Sequence, residues 1–239
     1  PSSHTDILDL ACGSGVLLEL CKKRFPSSLK LFGVDMNDNE LKLARTRFSH
    51  NDISFYKANA QDLSFMKNAS KDVIFCHWAL TLMDPIAPVL DEVKRVLTSQ
   101  GRFAALVDGP MNAAPGYKEV HDLIYSYVQE EIPNYGEIDL GDPRIRGSES
   151  LRNLAHKTFP KANVTIETNV VSMEGPVTKV AEIASGFFYA AFILRPEKRK
   201  LMIKNLSNML AISKVSTDNE RQGRFSMPIS RLLVRQSIK

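Results

Sequence analysis

The 239-residue sequence is short of several things, and each shortage excludes a class of protein. It has three cysteines, Cys12, Cys21 and Cys76, with neither a CxxC nor a metal-type spacing. No disulfide framework and no metal site is expected from them, and reduced thiols fit a cytoplasmic setting. No apolar run approaches the roughly 18 to 20 residues that cross a bilayer, so no membrane span is expected. The start of the chain lacks the charged and apolar segments of a secretory leader. Charge of one sign does not dominate: 31 Lys and Arg against 27 Asp and Glu leave a net charge of +4, scattered along the chain. That is no electrostatic footprint for nucleic acid. The initiator Met is also lacking. Pro1 stands a few residues before the first strand-like run, Asp6 to Leu10, so a further N-terminal segment is expected to belong ahead of it.

What is present is a 44% hydrophobic chain, long enough for a sizeable core in a single domain over residues 1–239. Short apolar runs at residues 7–11, 29–34, 53–58, 72–76 and 102–107 alternate with helical patterns at 16–24, 40–48 and 89–97. Pro26 closes the first helix, and Pro85 and Pro88 mark the start of the third. This alternation predicts βα units and a mainly parallel sheet. Beyond Gly109 the texture changes, with Pro110, Pro115, Pro133 and Pro143 around one helical pattern at 117–130, so residues 110–160 read as a cap inserted after the fifth strand. Two further strands, 164–173 and 225–236, and helices at 178–189 and 197–210 complete the pattern.

The sharpest chemical signal is Asp9-Leu10-Ala11-Cys12-Gly13-Ser14-Gly15 at the first strand-to-helix junction. Glycine takes the backbone angles of such a turn and lets a ligand approach the chain and the helix N-terminus. Taken alone, the heptad also fits an ordinary tight turn. Asp35 closes the second strand about 20 residues beyond the glycines, where an acid accepts hydrogen bonds from both ribose hydroxyls. A solvated loop acid is the bland reading of that residue. Together the two features indicate an adenosine-containing ligand at the carboxyl ends of the strands.

Residues 9–15 resemble the D-L-G-C-G-S-G turn of the class I S-adenosylmethionine-dependent methyltransferases, with Ala11 in place of the first glycine. Asn59-Ala60-Gln61-Asp62-Leu63 is similar to the family's segment after strand three, with Asn59 where Asp is usual. DVIFCHWALTLMD (72–84) and LDEVKRVLTSQGRF (90–103) resemble the fourth-strand motif and the helix and strand that follow it. The resemblance implies a Rossmann-like α/β fold: a seven-stranded, mostly parallel sheet with helices on both faces, an antiparallel last strand, and a helical cap after strand five. It implies S-adenosylmethionine as cofactor, bound around Asp9, Ala11, Cys12, Gly13, Gly15, Asp35, Met36, Asn59, Ala60, Gln61, Cys76 and His77. Asp9 would orient the methionine amino group, Gly13 and Gly15 would admit the methionyl portion and ribose, and Asp35 would hold the ribose hydroxyls. Met36 would pack on adenine, Asn59, Ala60 and Gln61 would edge it, and Cys76 with His77 would lie beneath the sulfonium. The acceptor implied is a small molecule.

Two other functions share these features. An NAD(P)-dependent oxidoreductase uses the same topology and ribose acid, but Leu18 stands where a dinucleotide site wants its third glycine. A noncatalytic nucleoside-binding module would keep the same residues without turnover. His77, following the fourth strand, is the first candidate for a general base, against a packing or substrate-lining role. His121 is the second: with Tyr117 and Tyr125 it recurs every four residues on the predicted cap helix, either facing a cleft or burying an aromatic face. Trp78 and the Phe187-Phe188-Tyr189 run would wall an apolar acceptor pocket or serve the core. The RPEKRK stretch at 195–200 mixes signs at a helix start and reads as a solvated face.

Overall fold

The apolar runs of the first half form five parallel strands, β1 (Asp6–Leu10), β2 (Lys30–Asp35), β3 (Ile53–Lys57), β4 (Lys71–His77) and β5 (Leu97–Asp108). The structure, a computed structural model, describes residues 5–25, 29–48, 53–136, 141–215 and 220–236; Pro26 lies outside them. Three helices alternate with these strands: α1 (Val16–Arg24), α2 (Asp38–Arg47) and α3 (Ile86–Val96). β1 pairs parallel with β2 and with β4, β2 with β3, and β4 with β5. Farther along follow β6 (Asn163–Pro176), β7 (Ala211–Val215) and β8 (Arg221–Arg235). Among the described residues the sheet runs β3-β2-β1-β4-β5-β8-β6, with β7 added beside β8. The seven expected strands are there, and β7 is a five-residue addition. Gln236 N donates to Gly101 O and Gly109 N to Pro228 O, so β8 runs antiparallel to β5. The strand order reverses between β1 and β4, and such a reversal opens a crevice at the carboxyl ends of the strands.

Alternation along each strand assigns the two faces. Leu8 and Leu10 of β1, Ile74 and Cys76 of β4, and Phe103, Ala105 and Val107 of β5 share one core with Leu90 and Val93 of α3. Ile7, Leu31 and Ile53 share the other with Leu18 of α1 and Leu41 of α2, and Val73 and Phe75 pack against it. Helices therefore cover both faces, as the sequence pattern predicts.

The chain divides into two compact units. The first comprises Pro1–Asp108, Leu140–Glu167 and Ser230–Lys239, and the second Gly109–Asp139 and Thr168–Ile229. Within the expected 110–160 segment lies α5 (Ser148–Thr158), a helix the sequence reading did not anticipate. Its Leu151, Leu154 and Ala155, with Phe159 after it, complete the core beside α3, which draws this segment into the first unit. The second unit contains α4 (Tyr117–Gln129), α6 (Val177–Gly186) and α7 (Pro196–Leu210). α4 buries Tyr117, Val120, Ile124 and Val128, and its Tyr127 hydroxyl accepts a hydrogen bond from Asn205 of α7.

Candidate functional site

The turn from β1 into α1 is left-handed three times, at Ala11 (φ 58°), Gly13 (φ 51°) and Gly15 (φ 79°). Cys12 N donates to Val34 O at 2.9 Å and Gly15 N to Cys12 O at 2.9 Å, which fixes the loop against β2. Ala11 holds its angle at a cost of about 1 to 2 kcal/mol. The two glycines have different tasks. A Cβ on Gly15 would meet Phe48 at 3.2 Å and Ala44 at 3.3 Å, so its bareness seats the start of α1 on the α2 segment. A Cβ on Gly13 would meet only Glu40 Oε2, at 3.6 Å, so the open approach expected at both glycines belongs to Gly13.

Asp35, the last residue of β2, clamps this turn. Its Oδ2 accepts from Gly13 N at 2.8 Å and its Oδ1 from Asn37 N at 2.8 Å. A carboxylate takes about four such bonds, so each oxygen keeps a lone pair for a further donor. Met36 beside it is 71% exposed, a large apolar side chain at the mouth of the crevice. Asn37 caps α2 by accepting from Asn39 N.

Asp9 presents the strongest electrostatic anomaly. It is 1% exposed, and its Oδ1 is buried without a hydrogen-bond partner among the described residues. Burial first, and the charge of Asp35 second, push its carboxyl from 3.8 up to about 7. An orphaned buried carboxylate oxygen is costly unless a donor reaches it.

After β3, Asn59 Oδ1 accepts from Gln61 N at 3.1 Å, and Gln61 Nε2 donates to Pro85 O at 2.9 Å. α3 clasps the same loop. Leu63 N donates to Glu92 Oε2 at 2.6 Å, and Arg95 donates to Leu63 O at 2.7 Å, Met66 O at 2.8 Å and Asn68 Oδ1 at 2.7 Å. The Arg95 guanidinium holds the Glu92 carboxyl below its usual range. Sequence reasoning missed this clasp, whose only trace was an acid and a base three residues apart on a helix.

Two expected ligand side chains are taken up elsewhere. Ala60 and Cys76 belong to the apolar core shared with α3. Burial pushes the Cys12 and Cys76 thiols well above the ordinary thiol range, so neither supplies a thiolate. His77, the last residue of β4, is exposed, and its ring lies edge-on to Trp78 at 6.0 Å. Partial burial still lowers its imidazole below the usual range. Trp78 turns the chain at φ 60°, with its N–H donating to Leu106 O at 3.0 Å. A further group sits at the end of β5: burial raises the Asp108 carboxyl and the charge of Arg146 opposes the rise. Nothing in the sequence pattern marked Asp108, because only the β4–β5 register places it.

His121 lies in the second unit, His77 in the first. The His121 ring stacks on Tyr125 at 4.0 Å, edges Phe188 at 6.2 Å, and places Nδ1 3.2 Å from Asp122 Oδ1. Tyr117 is buried against Phe188 and Phe225. This face of α4 is lined by aromatic contacts. Among the described residues no group of three His, Cys, Asp or Glu side chains is arranged to hold a metal ion, and no helix is long and apolar enough to cross a membrane.

Residues 8–105 match the profile of a family described as a methyltransferase domain. The chain is 30% identical over 136 residues to the ubiquinone/menaquinone biosynthesis C-methyltransferase UbiE of Desulfotalea psychrophila, covering 57% of this chain and 53% of that protein. It thus spans about half the length of that relative. An uncharacterized methyltransferase of Schizosaccharomyces pombe is 26% identical over 225 residues, covering 92% of this chain and 82% of its own length. Among solved structures, the YcgJ protein of Bacillus subtilis superimposes with a TM-score of 0.63 at 12% identity, over 99% of this chain and 94% of that one.

Proposed function

We propose that the chain, whose residues 8–105 match a methyltransferase domain, is a class I S-adenosylmethionine-dependent methyltransferase and that it methylates a small-molecule acceptor. The observation that carries the reading is the unpartnered, buried Oδ1 of Asp9, two residues before a clamped, open glycine turn. S-adenosylmethionine, when bound, supplies a methyl group on a sulfonium, a leaving group good enough that positioning does most of the catalytic work.

The residues present fit that group. Asp9 gives an ammonium its missing acceptor, and a cation there draws the carboxyl into its charged form. Gly13 leaves room for the chain that joins the amino acid to the ribose, with the Ala11 and Cys12 main chain beside it. The two spare lone pairs of Asp35 suit a pair of ribose hydroxyls, and exposed Met36 suits an adenine face. Asn59 and Gln61 edge the same crevice from β3, held in place by the Glu92–Arg95 clasp. His77 stands at the transfer end as an exposed neutral imidazole, able to accept a hydrogen bond. The dinucleotide reading is disfavoured by Leu18, which is fully buried against the second face of the sheet where that site needs a bare backbone. Three unpaired cysteines support placing the protein in a reducing compartment such as the cytoplasm.

Titration calorimetry with S-adenosylmethionine, S-adenosylhomocysteine and NADH tests the reading. Binding of the first two without the third is expected, and binding of NADH alone overturns it. Binding without turnover across an acceptor panel would favour a noncatalytic module.

A further inference from the structure

Three titratable side chains form a staircase on one face of the sheet. Asp9 pairs in register with Phe75, so His77 lies one strand over and two residues farther toward the carboxyl end. His77 pairs with Leu106, so Asp108 lies one strand and two residues farther again. With about 4.8 Å between strands and about 3.3 Å of rise per residue, each step spans about 8 Å. The faces agree. Leu8, Leu10, Ile74, Cys76, Phe103, Ala105 and Val107 point into the other core, which leaves Asp9, His77 and Asp108 on the face of Ile7, Val73 and Phe75.

The staircase has a direction. Its lowest step, Asp9, suits the amino end of the cofactor and His77 the transfer point, so the reacting atom of an acceptor lies beyond His77, toward Asp108. His77 is a poor proton acceptor there: partial burial already lowers its imidazole, and a sulfonium beside it opposes a second positive charge. A carboxylate has the opposite preference, because the sulfonium favours its charged form. We propose that Asp108 is the catalytic proton acceptor of this site, and that the substrate is an acceptor whose nucleophilic atom bears a proton, a hydroxyl, phenol or enol rather than a tertiary amine or thioether. The inference rests on the cofactor placement proposed above. The acceptor atom forms its bond to the methyl carbon, the electron pair of the broken carbon–sulfur bond stays on sulfur, and the acceptor's proton passes to the Asp108 carboxylate. Burial raises the basicity of that carboxylate above an ordinary aspartate, which suits it to the task.

Among the described residues of the first unit, Arg146, from the segment before α5, bears on the Asp108 charge, and His77 of β4 stands one strand away. On β8, Arg231 is engaged with Glu167, and the 80–82 turn packed on β5 carries no charge. The test counts protons. Binding of S-adenosylmethionine and of S-adenosylhomocysteine is measured by calorimetry in buffers of different ionisation enthalpy, from the ordinary aspartate range, about pH 4, up to about pH 8, on the wild type and Asp108→Asn. The two ligands differ by the positive charge at the methyl-bearing sulfur. The wild type should release more protons with S-adenosylmethionine, by up to about one, and Asp108→Asn should lose part of that excess. An identical excess in both proteins overturns the proposal while leaving the cofactor site standing, and failure of the wild type to bind either ligand overturns both. In turnover, Asp108→Asn should lower kcat by about 100-fold or more with S-adenosylhomocysteine affinity unchanged. Turnover confined to tertiary amines or thioethers also contradicts the proposal.

Discussion

Asp9 makes the unliganded protein less stable than it need be, by an amount the structure sets. Its carboxyl titrates at about 7 in the folded chain against 3.8 in the unfolded one. Below about pH 3.8 both states hold the proton and Asp9 carries no ionisation penalty. Between there and pH 7 the unfolded chain releases the proton while the folded chain keeps it, so stability falls as pH rises. Above about pH 7 the loss is complete, and at about 1.4 kcal/mol per pH unit it amounts to about 4 kcal/mol. Asp9→Asn removes the titration while keeping the shape. Urea unfolding of both proteins at pH 5, 6, 7 and 8 should show the variant gaining on the wild type by about 2 to 3 kcal/mol from pH 5 to 7 and little thereafter. Saturating S-adenosylhomocysteine should remove most of that advantage, since its ammonium stabilises the wild-type carboxylate. Parallel pH profiles for the two proteins without ligand would refute the reasoning.

Other residues of the cradle make separable predictions. Asp35→Ala should weaken S-adenosylhomocysteine binding by about 1 to 3 kcal/mol in calorimetry. Because Asp35 also holds Gly13 N and Asn37 N, Asp35→Asn should recover part of the loss. Gly15→Ala combines left-handed strain with crowding against Phe48 and Ala44 and should cost about 2 to 4 kcal/mol in urea unfolding. Gly13→Ala, with open space at its Cβ, should cost about 1 to 2 kcal/mol in stability and show its larger effect in ligand affinity. Arg95→Ala strips the Leu63 and Met66 carbonyls of a charged donor and should destabilise by about 2 to 3 kcal/mol, with weaker S-adenosylhomocysteine binding as the loop after β3 loosens.

The first five strands and the glycine turn are legible because each is written locally: apolar alternation for Ile7 or Phe103, backbone permissiveness for Gly13. Asp35 is legible for the same reason, through its spacing from the turn. What escapes is written in contacts. α5 carries apolar residues at Leu151, Leu154 and Ala155, a helical spacing, but only their burial beside α3 shows that the segment belongs to the first unit. Gly13 and Gly15 look alike in sequence and part company only when Phe48 and Ala44 close over one of them. Asp108 carries no local mark at all, since its place depends on which residue of β4 its strand meets. The aromatic repeat of Tyr117, His121 and Tyr125 is real, and Phe188 and Phe225 pack against it.

The central claim is that the orphaned Asp9 carboxylate receives the amino group of an S-adenosyl ligand. The measurement that tests it most directly is the affinity of S-adenosylhomocysteine relative to methylthioadenosine, which shares the nucleoside and lacks the amino acid, on the wild type and on Asp9→Asn at pH 8. The account predicts that the wild type prefers S-adenosylhomocysteine by about tenfold or more and that the variant loses most of this preference. Equal affinities in the wild type, or an undiminished preference in Asp9→Asn, would contradict it.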